Sequence, residues 1–173
     1  FRRVLFRSKN GRERVQAIYR AHAALNGWGD IGYHYLIDED GVIYEGRAGG
    51  ESVVGAHVYC ANVGTIGVAM IGNFQHANPS EEQLSSLRWL LSDLTKTYGL
   101  RANGRTTFQG KSMPTIVTHR DLAATQCAGR KVQKLLPTIR RLVARRDFTT
   151  PLLRGEGRPS RRVIRATPRY GLV

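Results

Sequence analysis

Residues 33–47 constrain the fold most, because they place two strand-like segments on either side of a short turn. Side chains of contrasting character alternate in the first segment, and Glu39-Asp40-Gly41 supplies the turn chemistry of a hairpin. The pattern therefore predicts two antiparallel strands, with Tyr33 and Tyr35 on one face and His34 on the other.

Two further segments have the composition of buried strands. Residues 65–74 are apolar almost throughout, which predicts a central strand, and their glycines indicate a close backbone approach on one side. Residues 113–117 form a shorter apolar run and predict a second buried strand that ends just before His119.

Three amphipathic segments predict helices. The first runs from Glu13 to a terminator at Gly27. The second begins at a capping box formed by Ser80 and Gln83 and ends at Gly99. Its apolar stripe, which we assign to the core, comprises Leu84, Leu87, Leu91, Leu94 and Tyr98.

The third helix is predicted over about residues 131–145, with a kink or a restart at Pro137.

A chain of 173 residues is long enough for one hydrophobic core. We therefore expect an α/β fold: a single domain with a central mixed β-sheet flanked by helices on both faces.

The positive charge of the chain is concentrated at its two ends. The formal net charge is +14, of which residues 1–9 contribute +4 and residues 140–173 contribute +8. The remaining core carries only +2, so nucleic-acid binding would have to be assigned to the ends rather than to a shaped groove. No apolar run reaches the roughly 20 residues of a membrane-spanning helix, and no signal peptide is visible.

The same compositional shifts predict a three-part organisation. Residues 1–9 resemble one reading frame of a sequencing-library adapter and are expected to be non-native. Residues 10–145 form the folded domain, and residues 146–173 are expected to be a basic linker or disordered tail.

His119 and Cys127 are the strongest candidate metal ligands. An imidazole and a thiolate eight residues apart, between a strand and a helix, can bind one zinc ion, but a catalytic zinc site needs three protein ligands. The alternatives are a structural histidine and a disulfide between Cys60 and Cys127. If Cys127 is a ligand, Cys60 is expected to be semi-buried. No glycine motif for nucleotide binding is present.

With these motifs in place, the chain resembles the zinc-dependent N-acetylmuramoyl-L-alanine amidases of the peptidoglycan recognition protein and T7-lysozyme-like type. The resemblance extends over residues 13 to about 143 and rests on four ordered segments. These are residues 27–35, residues 43–47 with 54–57, residues 66–74, and residues 119–129.

The resemblance implies a role for each matching position. His119 and Cys127 match two of the three zinc ligands, whereas the family's first ligand motif is absent, and we expect the chain to begin after it. Tyr33 matches the catalytic tyrosine, and Thr125 matches a position beside the scissile carbonyl. The substrate groove of the family corresponds to His57 and Asn62.

The expected reaction is hydrolysis of the amide between N-acetylmuramic acid and L-alanine in peptidoglycan, by a secreted or cell-wall-associated bacterial protein that acts as a monomer. Zinc would polarise the carbonyl and lower the pKa of its bound water. The hydroxyls of Tyr33 and Thr125 would orient that water or stabilise the oxyanion, while Asp121 or Arg120 would hold the loop. With two ligands we expect impaired activity. The alternative is a non-catalytic peptidoglycan-binding module.

His22, His34 and His76 receive no role in the reaction. We expect His34 to be structural, because it lies on the opposite strand face from Tyr33. We expect His22 and His76 to be surface residues.

Overall fold

The structure is a computed structural model that describes residues 11–153, and these fall into two compact units, residues 11–71 and 72–153. Both helices and strands are present, and one sheet combines parallel with antiparallel pairing. The predicted α/β class with a mixed sheet is therefore confirmed. No helix within residues 11–153 has both the length and the apolar character needed to cross a membrane.

The first unit contains one helix and a three-stranded sheet. Helix α1 is Gly11–Arg20, and a π-helical turn, Ala21–Leu25, extends it. Gly27 follows with φ 69°, as expected of a helix terminator. The strands are β1 (Tyr35–Ile37), β2 (Ile43–Glu45) and β3 (Val68–Met70).

The predicted hairpin is confirmed, with Tyr35 opposite Glu45 and Ile37 opposite Ile43. Asp38 holds its turn, because the Oδ1 atom accepts the backbone N–H of Val42 at 2.8 Å. Burial and a hydrogen bond to Asp38 raise the pKa of Tyr44. The turn is therefore fixed by a buried carboxylate in addition to its glycine.

The prediction of a central strand over residues 65–74 is wrong for the described sheet. Only Val68–Met70 is a strand, and it pairs in parallel with β1, so the order is β2-β1-β3 and β1 is central. Ile71 nevertheless packs in the core with Ile31 and Leu36. In residues 65–74 the buried residues are Gly67, Ile71 and Phe74, while the strand Val68–Met70 is half-buried, so the apolar composition overstated both the burial and the length of the strand.

The second unit contains two helices and a two-stranded hairpin. Helix α2 is Glu81–Thr97 and helix α3 is Arg130–Ala144. The hairpin pairs β4 (Arg105–Phe108) with β5 (Lys111–Pro114) in antiparallel orientation.

Both helices largely follow their predicted patterns. The capping box before α2 is confirmed, since Ser80 Oγ accepts the Gln83 N–H at 3.0 Å and Gln83 Oε1 accepts the Ser80 N–H at 3.3 Å. Along the predicted stripe, Leu84, Leu87 and Leu94 are buried, but Tyr98 is 46% exposed. The predicted core stripe is therefore confirmed at these three leucines, whereas Leu91 is half-buried.

Helix α3 starts where the chain approaches another backbone segment closely. A Cβ at Gly129, which has φ 88°, would lie 2.4 Å from the carbonyl carbon of Phe74, so glycine is needed there. The helix continues through Pro137 as one element, so of the two predicted alternatives the restart is wrong and the kink stays a prediction. Its buried face comprises Val132, Leu136, Ile139, Leu142 and Val143.

The predicted buried strand over residues 113–117 is also wrong in position. Strand β5 ends at Pro114, and its burial pattern is exposed to intermediate. His119 consequently lies in a separate 3-10 turn, His119–Asp121, rather than at a strand end.

Residues 146–153 lie against α2. The buried Arg88 side chain donates hydrogen bonds to the carbonyls of Phe148 at 3.1 Å and Thr150 at 2.8 Å. The buried Glu81 carboxylate accepts the N–H of Leu152 at 2.8 Å. The described part of the predicted tail is therefore held by two buried charged residues.

The expectations for residues 1–9 and for 154–173 lie outside the described residues, and the three-part division stays a prediction.

Neither Cys60 nor Cys127 forms a disulfide, and both are exposed. The disulfide alternative is therefore not realised, and the expectation that Cys60 is semi-buried is wrong. Cys60 lies in a turn with φ 60°, which directs the chain through a left-handed conformation at the surface.

Candidate functional site

The turn that carries His119 is fixed by its neighbours. The Asp121 carboxylate accepts hydrogen bonds from the backbone N–H of Thr118 at 2.7 Å and from its hydroxyl at 3.0 Å. The same hydroxyl lies 2.7 Å from Oε1 of Gln133 in α3. Asp121 thus performs the loop-holding role expected for it, while Arg120 contributes through its backbone.

The loop between His119 and Cys127 is closed by backbone contacts. The N–H of Arg120 donates to the carbonyl of Cys127 at 3.1 Å. The N–H of Cys127 donates to the hydroxyl of Thr125 at 3.2 Å. The structure therefore brings the turn of His119, Thr125 and Cys127 into one small loop of the second unit.

The two candidate ligands are not engaged elsewhere in the described part of the chain, where neither the His119 ring nor the Cys127 thiol makes a recorded hydrogen bond. Partial burial lowers the pKa of His119, so its imidazole is neutral at neutral pH. Partial burial raises the pKa of the Cys127 thiol, although the residue as a whole is exposed. Both groups have the chemistry of metal donors, and a cation would favour the thiolate.

A complete zinc site is not formed by these residues. All five histidines and both cysteines of the chain lie within residues 11–153. In that range no group of three or more His, Cys, Asp or Glu side chains is arranged to hold a metal ion. His119 and Cys127 supply two donors where a catalytic zinc needs three, so the described residues form part of such a site and not a complete one.

Tyr33 lies in the first unit, on the edge of its core. It packs against the cluster of Ile31, Leu36 and Ile71, and its carbonyl accepts the N–H of Arg47 at 2.9 Å. The Tyr33 ring is stacked on that of His57, with centroids 6.4 Å apart and planes at 25°. Tyr33 and His57 are thus brought together and held in fixed orientations.

Asn62 organises the loop that contains His57. Its Oδ1 atom accepts the backbone N–H groups of His57 at 2.9 Å and Val58 at 2.8 Å. A Cβ at Gly67 would lie 2.5 Å from the His57 ring, so the glycine allows the close approach expected in this segment. Asn62 therefore has a structural task beside its predicted contact with substrate.

His34 is structural, as expected. It is 3% exposed; its Nε2 lies 2.8 Å from the Val53 carbonyl oxygen, and its Nδ1 accepts the Gly67 N–H at 3.0 Å. His76 is exposed, also as expected.

The prediction that His22 is a surface residue is wrong. Its Nδ1 accepts the N–H of Gly32 at 3.0 Å, and its ring centroid lies 4.7 Å from Trp28 and 5.6 Å from Tyr33. Burial, and then the charge of Arg47, lower its pKa. The signal for this was available, because position 22 is four residues after Ile18 on the apolar face of the first helix.

The sequence matches the family model described as Amidase_2: N-acetylmuramoyl-L-alanine amidase, over residues 7–133. N-acetylmuramoyl-L-alanine amidase of Homo sapiens is 35% identical over 124 residues, 72% of this chain and 20% of that protein. Peptidoglycan-recognition protein SC2 of Drosophila melanogaster is 33% identical over 118 residues, 68% of this chain and 58% of that protein. The chain thus spans less than two thirds of either relative, and both are animal proteins.

Solved structures of the same kind share the fold. The ectodomain complex of peptidoglycan recognition proteins LCa and LCx bound to tracheal cytotoxin gives a TM-score of 0.61 at 34% identity, covering 72% of this chain and 68% of that one. N-acetylmuramoyl-L-alanine amidase LysC from Clostridium intestinale URNW gives 0.60 at 30% identity, covering 72% and 73%. The chain therefore belongs to the Amidase_2 family of N-acetylmuramoyl-L-alanine amidases and peptidoglycan recognition proteins.

Proposed function

We propose that this chain binds peptidoglycan and acts on the amide bond between N-acetylmuramic acid and L-alanine, with hydrolysis that depends on one zinc ion and is weak in this copy. The observation that carries the proposal is the closed loop of the second unit. It presents an imidazole and a thiol that no described residue engages. Titratable side chains that have no structural role in the fold are typical of functional sites.

The residues of the chain divide the work as follows. His119 and Cys127 supply two metal donors, and the Thr125 hydroxyl, positioned by the Cys127 N–H, would stabilise negative charge on the scissile carbonyl. Tyr33, in the first unit, matches the family's catalytic tyrosine, and we assign its hydroxyl the role of a hydrogen-bond donor in the reaction. His57, with its loop held by Asn62, would contact the glycopeptide. These assignments are supported by the family match and by the retained residue types.

Weak hydrolysis follows from the incomplete donor set. A third protein ligand contributes to metal affinity and fixes the open coordination position, so two donors bind zinc loosely and orient it poorly. Removal of a single group that stabilises the transition state typically costs about 10²–10³-fold in rate, and we expect at least that deficit here.

The second candidate function is a non-catalytic peptidoglycan-binding module. The same donor set favours it, because binding to a glycopeptide needs no metal. One relative, SC2, is named a peptidoglycan-recognition protein, and the LCa and LCx recognition proteins were solved bound to tracheal cytotoxin. In either case we propose a monomer that is secreted or associated with the cell wall.

The deciding experiment compares binding and cleavage of one substrate, a soluble muropeptide with an intact lactyl-L-alanine amide. Binding is measured by calorimetry, and cleavage by the appearance of the L-alanine amino group at controlled free zinc. Cys127→Ser is the test variant, and Cys60→Ser is its matched control because both cysteines are exposed and neither forms a disulfide.

Slow cleavage that is lost in Cys127→Ser but kept in Cys60→Ser supports the amidase. Binding without cleavage at saturating zinc supports the recognition module. A chain that neither binds nor cleaves the muropeptide would overturn both.

A further inference from the structure

The positive charge of the folded part is concentrated on one helix. Of the net +14, residues 1–10 account for +4 and residues 154–173 for +5, so the described residues carry +5. Residues 130–146 alone carry seven basic and no acidic side chains, so the rest of the described chain is at −2. Helix α3 and its end therefore supply the entire surplus.

These basic residues form a stripe along the exposed side of α3. Arg130, Lys134, Arg141 and Arg145 are exposed, and their spacing places them within one narrow sector of the helix. At 1.5 Å per residue, the stripe is about 22 Å long. The opposite side of the helix is buried. We call these four residues the basic stripe.

No ion pair within residues 11–153 is recorded for any member of the basic stripe, although an ordinary solvated helix face mixes charges of both signs. The first turn of α3 also opposes the helix dipole, since it has no acidic residue and begins with Arg130 and Lys131, whereas Arg141 in the last turn agrees with the dipole. Helix α2 follows the usual rule, with Glu81 and Glu82 in its first turn and Lys96 in its last. The positive charge at the start of α3 is therefore not explained by helix stability.

A cleft of about 320 Å³ adjoins the stripe and contains two more arginines. Arg140 is anchored by its Nε, which donates to the Ile116 carbonyl at 2.7 Å, and Arg105 is anchored to Ser112 at 3.0 Å. Asp121 is the acidic residue in the lining, and its carboxylate is already bonded to Thr118. Pro137 connects the two features, because it lines the cleft and lies on the exposed side of α3.

From this geometry we infer that the basic stripe and its adjoining cleft bind a linear phosphodiester polymer attached to peptidoglycan. A row of unneutralised cations suits a flexible chain of repeated single negative charges, and guanidinium groups bind phosphate oxygens well. The polymer would hold the chain at the cell wall while the glycopeptide occupies the separate site proposed above for peptidoglycan. The inference rests on the proposed peptidoglycan function for its biological setting.

The test uses the full chain and two preparations of the same Gram-positive sacculi. One preparation keeps its wall phosphodiester polymer, and the other has lost it through treatment with cold hydrofluoric acid. The stripe variant changes Arg130, Lys134, Arg141 and Arg145 to Gln. The control variant has the same net charge and changes the exposed residues Arg20, Lys96, Arg101 and Lys111 to Gln.

We expect the wild type and the control variant to bind polymer-bearing sacculi about tenfold more tightly than stripped sacculi at low salt. The stripe variant should lose that difference. Four lost phosphate contacts at roughly 0.7 each should reduce the slope of log affinity against log salt by about 3. Unchanged thermal unfolding confirms that the stripe variant is folded.

Equal losses in the stripe and control variants would overturn the inference, because net charge alone would then explain binding. Stripe-dependent binding to duplex DNA, without any difference between the two sacculi, would also overturn it and assign the stripe to nucleic acid. Binding to free poly(glycerol phosphate) but not to stripped sacculi would refute the proposed peptidoglycan function while leaving the stripe inference standing.

Discussion

His34 in the first unit and His119 in the second are used by the fold in opposite ways. His34 is 3% exposed, and both its ring nitrogens have backbone partners, Val53 and Gly67. His119 is partly exposed, and its ring makes no recorded hydrogen bond within residues 11–153. The comparison separates histidines committed to stability from those available for chemistry.

The largest cost is expected for His34→Ala. It removes two buried hydrogen bonds, leaves the Val53 carbonyl and the Gly67 N–H without the ring, and opens a cavity, so we expect a loss of about 2–4 kcal/mol in the free energy of unfolding. Chemical denaturation measures it. His76→Ala, at an exposed histidine, is the matched control and should stay within about 0.5 kcal/mol. A cost below about 1 kcal/mol at His34 would contradict the assignment.

A smaller cost is expected for Asn62→Ala, which removes the acceptor of two backbone N–H groups. We expect about 1–2 kcal/mol, and Asn62→Asp should recover most of it because a carboxylate accepts the same bonds. Muropeptide affinity is measured on the same variants. If the alanine variant loses affinity without losing stability, Asn62 belongs with His119 as a residue for chemistry rather than with His34.

The free energy of unfolding is expected to depend on pH through His22. Its pKa is lowered from 6.5, so the folded chain binds fewer protons than the unfolded chain below that pH. The contribution of His22 is therefore complete above pH 6.5 and is lost as the pH falls towards the folded pKa. We expect His22→Gln to lose less stability than the wild type between pH 7.5 and 5.5. His119 contributes with the same sign in both proteins. An identical pH profile would show that His22 does not contribute.

The smallest effect on stability is expected at the loop of the second unit. His119→Ala and Cys127→Ser should each change the free energy of unfolding by less than about 0.5 kcal/mol, because no described residue bonds to either group. Cys60→Ser is the control for the thiol. A loss above about 1 kcal/mol would make the loop structural and weaken the case for chemistry there.

Local sequence signals predicted the elements whose causes are local. The capping box of Ser80 and Gln83, the turn at Asp40-Gly41 and the terminator Gly27 all act within a few residues, and each is found as expected. The strand predictions failed at residues 65–74 and 113–117, because an apolar run does not specify the partner that makes a strand.

The candidate site was predictable only in part, for the same reason. The type and spacing of His119 and Cys127 are visible in the sequence, whereas Tyr33 lies before β1 and its packing against His57 is not. The bond from the Gly32 N–H to His22 joins positions ten residues apart, and the anchoring of residues 146–153 by Arg88 spans about sixty. Contacts of that kind depend on the folded chain and leave little trace in local pattern.

The zinc content of the chain at equilibrium with micromolar free zinc tests the central claim most directly. Because His119 and Cys127 supply two of the three donors, we expect well below one zinc per chain, and less again in Cys127→Ser. Near-stoichiometric zinc in the wild type would contradict the account, since a third ligand would then complete the site and full amidase activity would be expected.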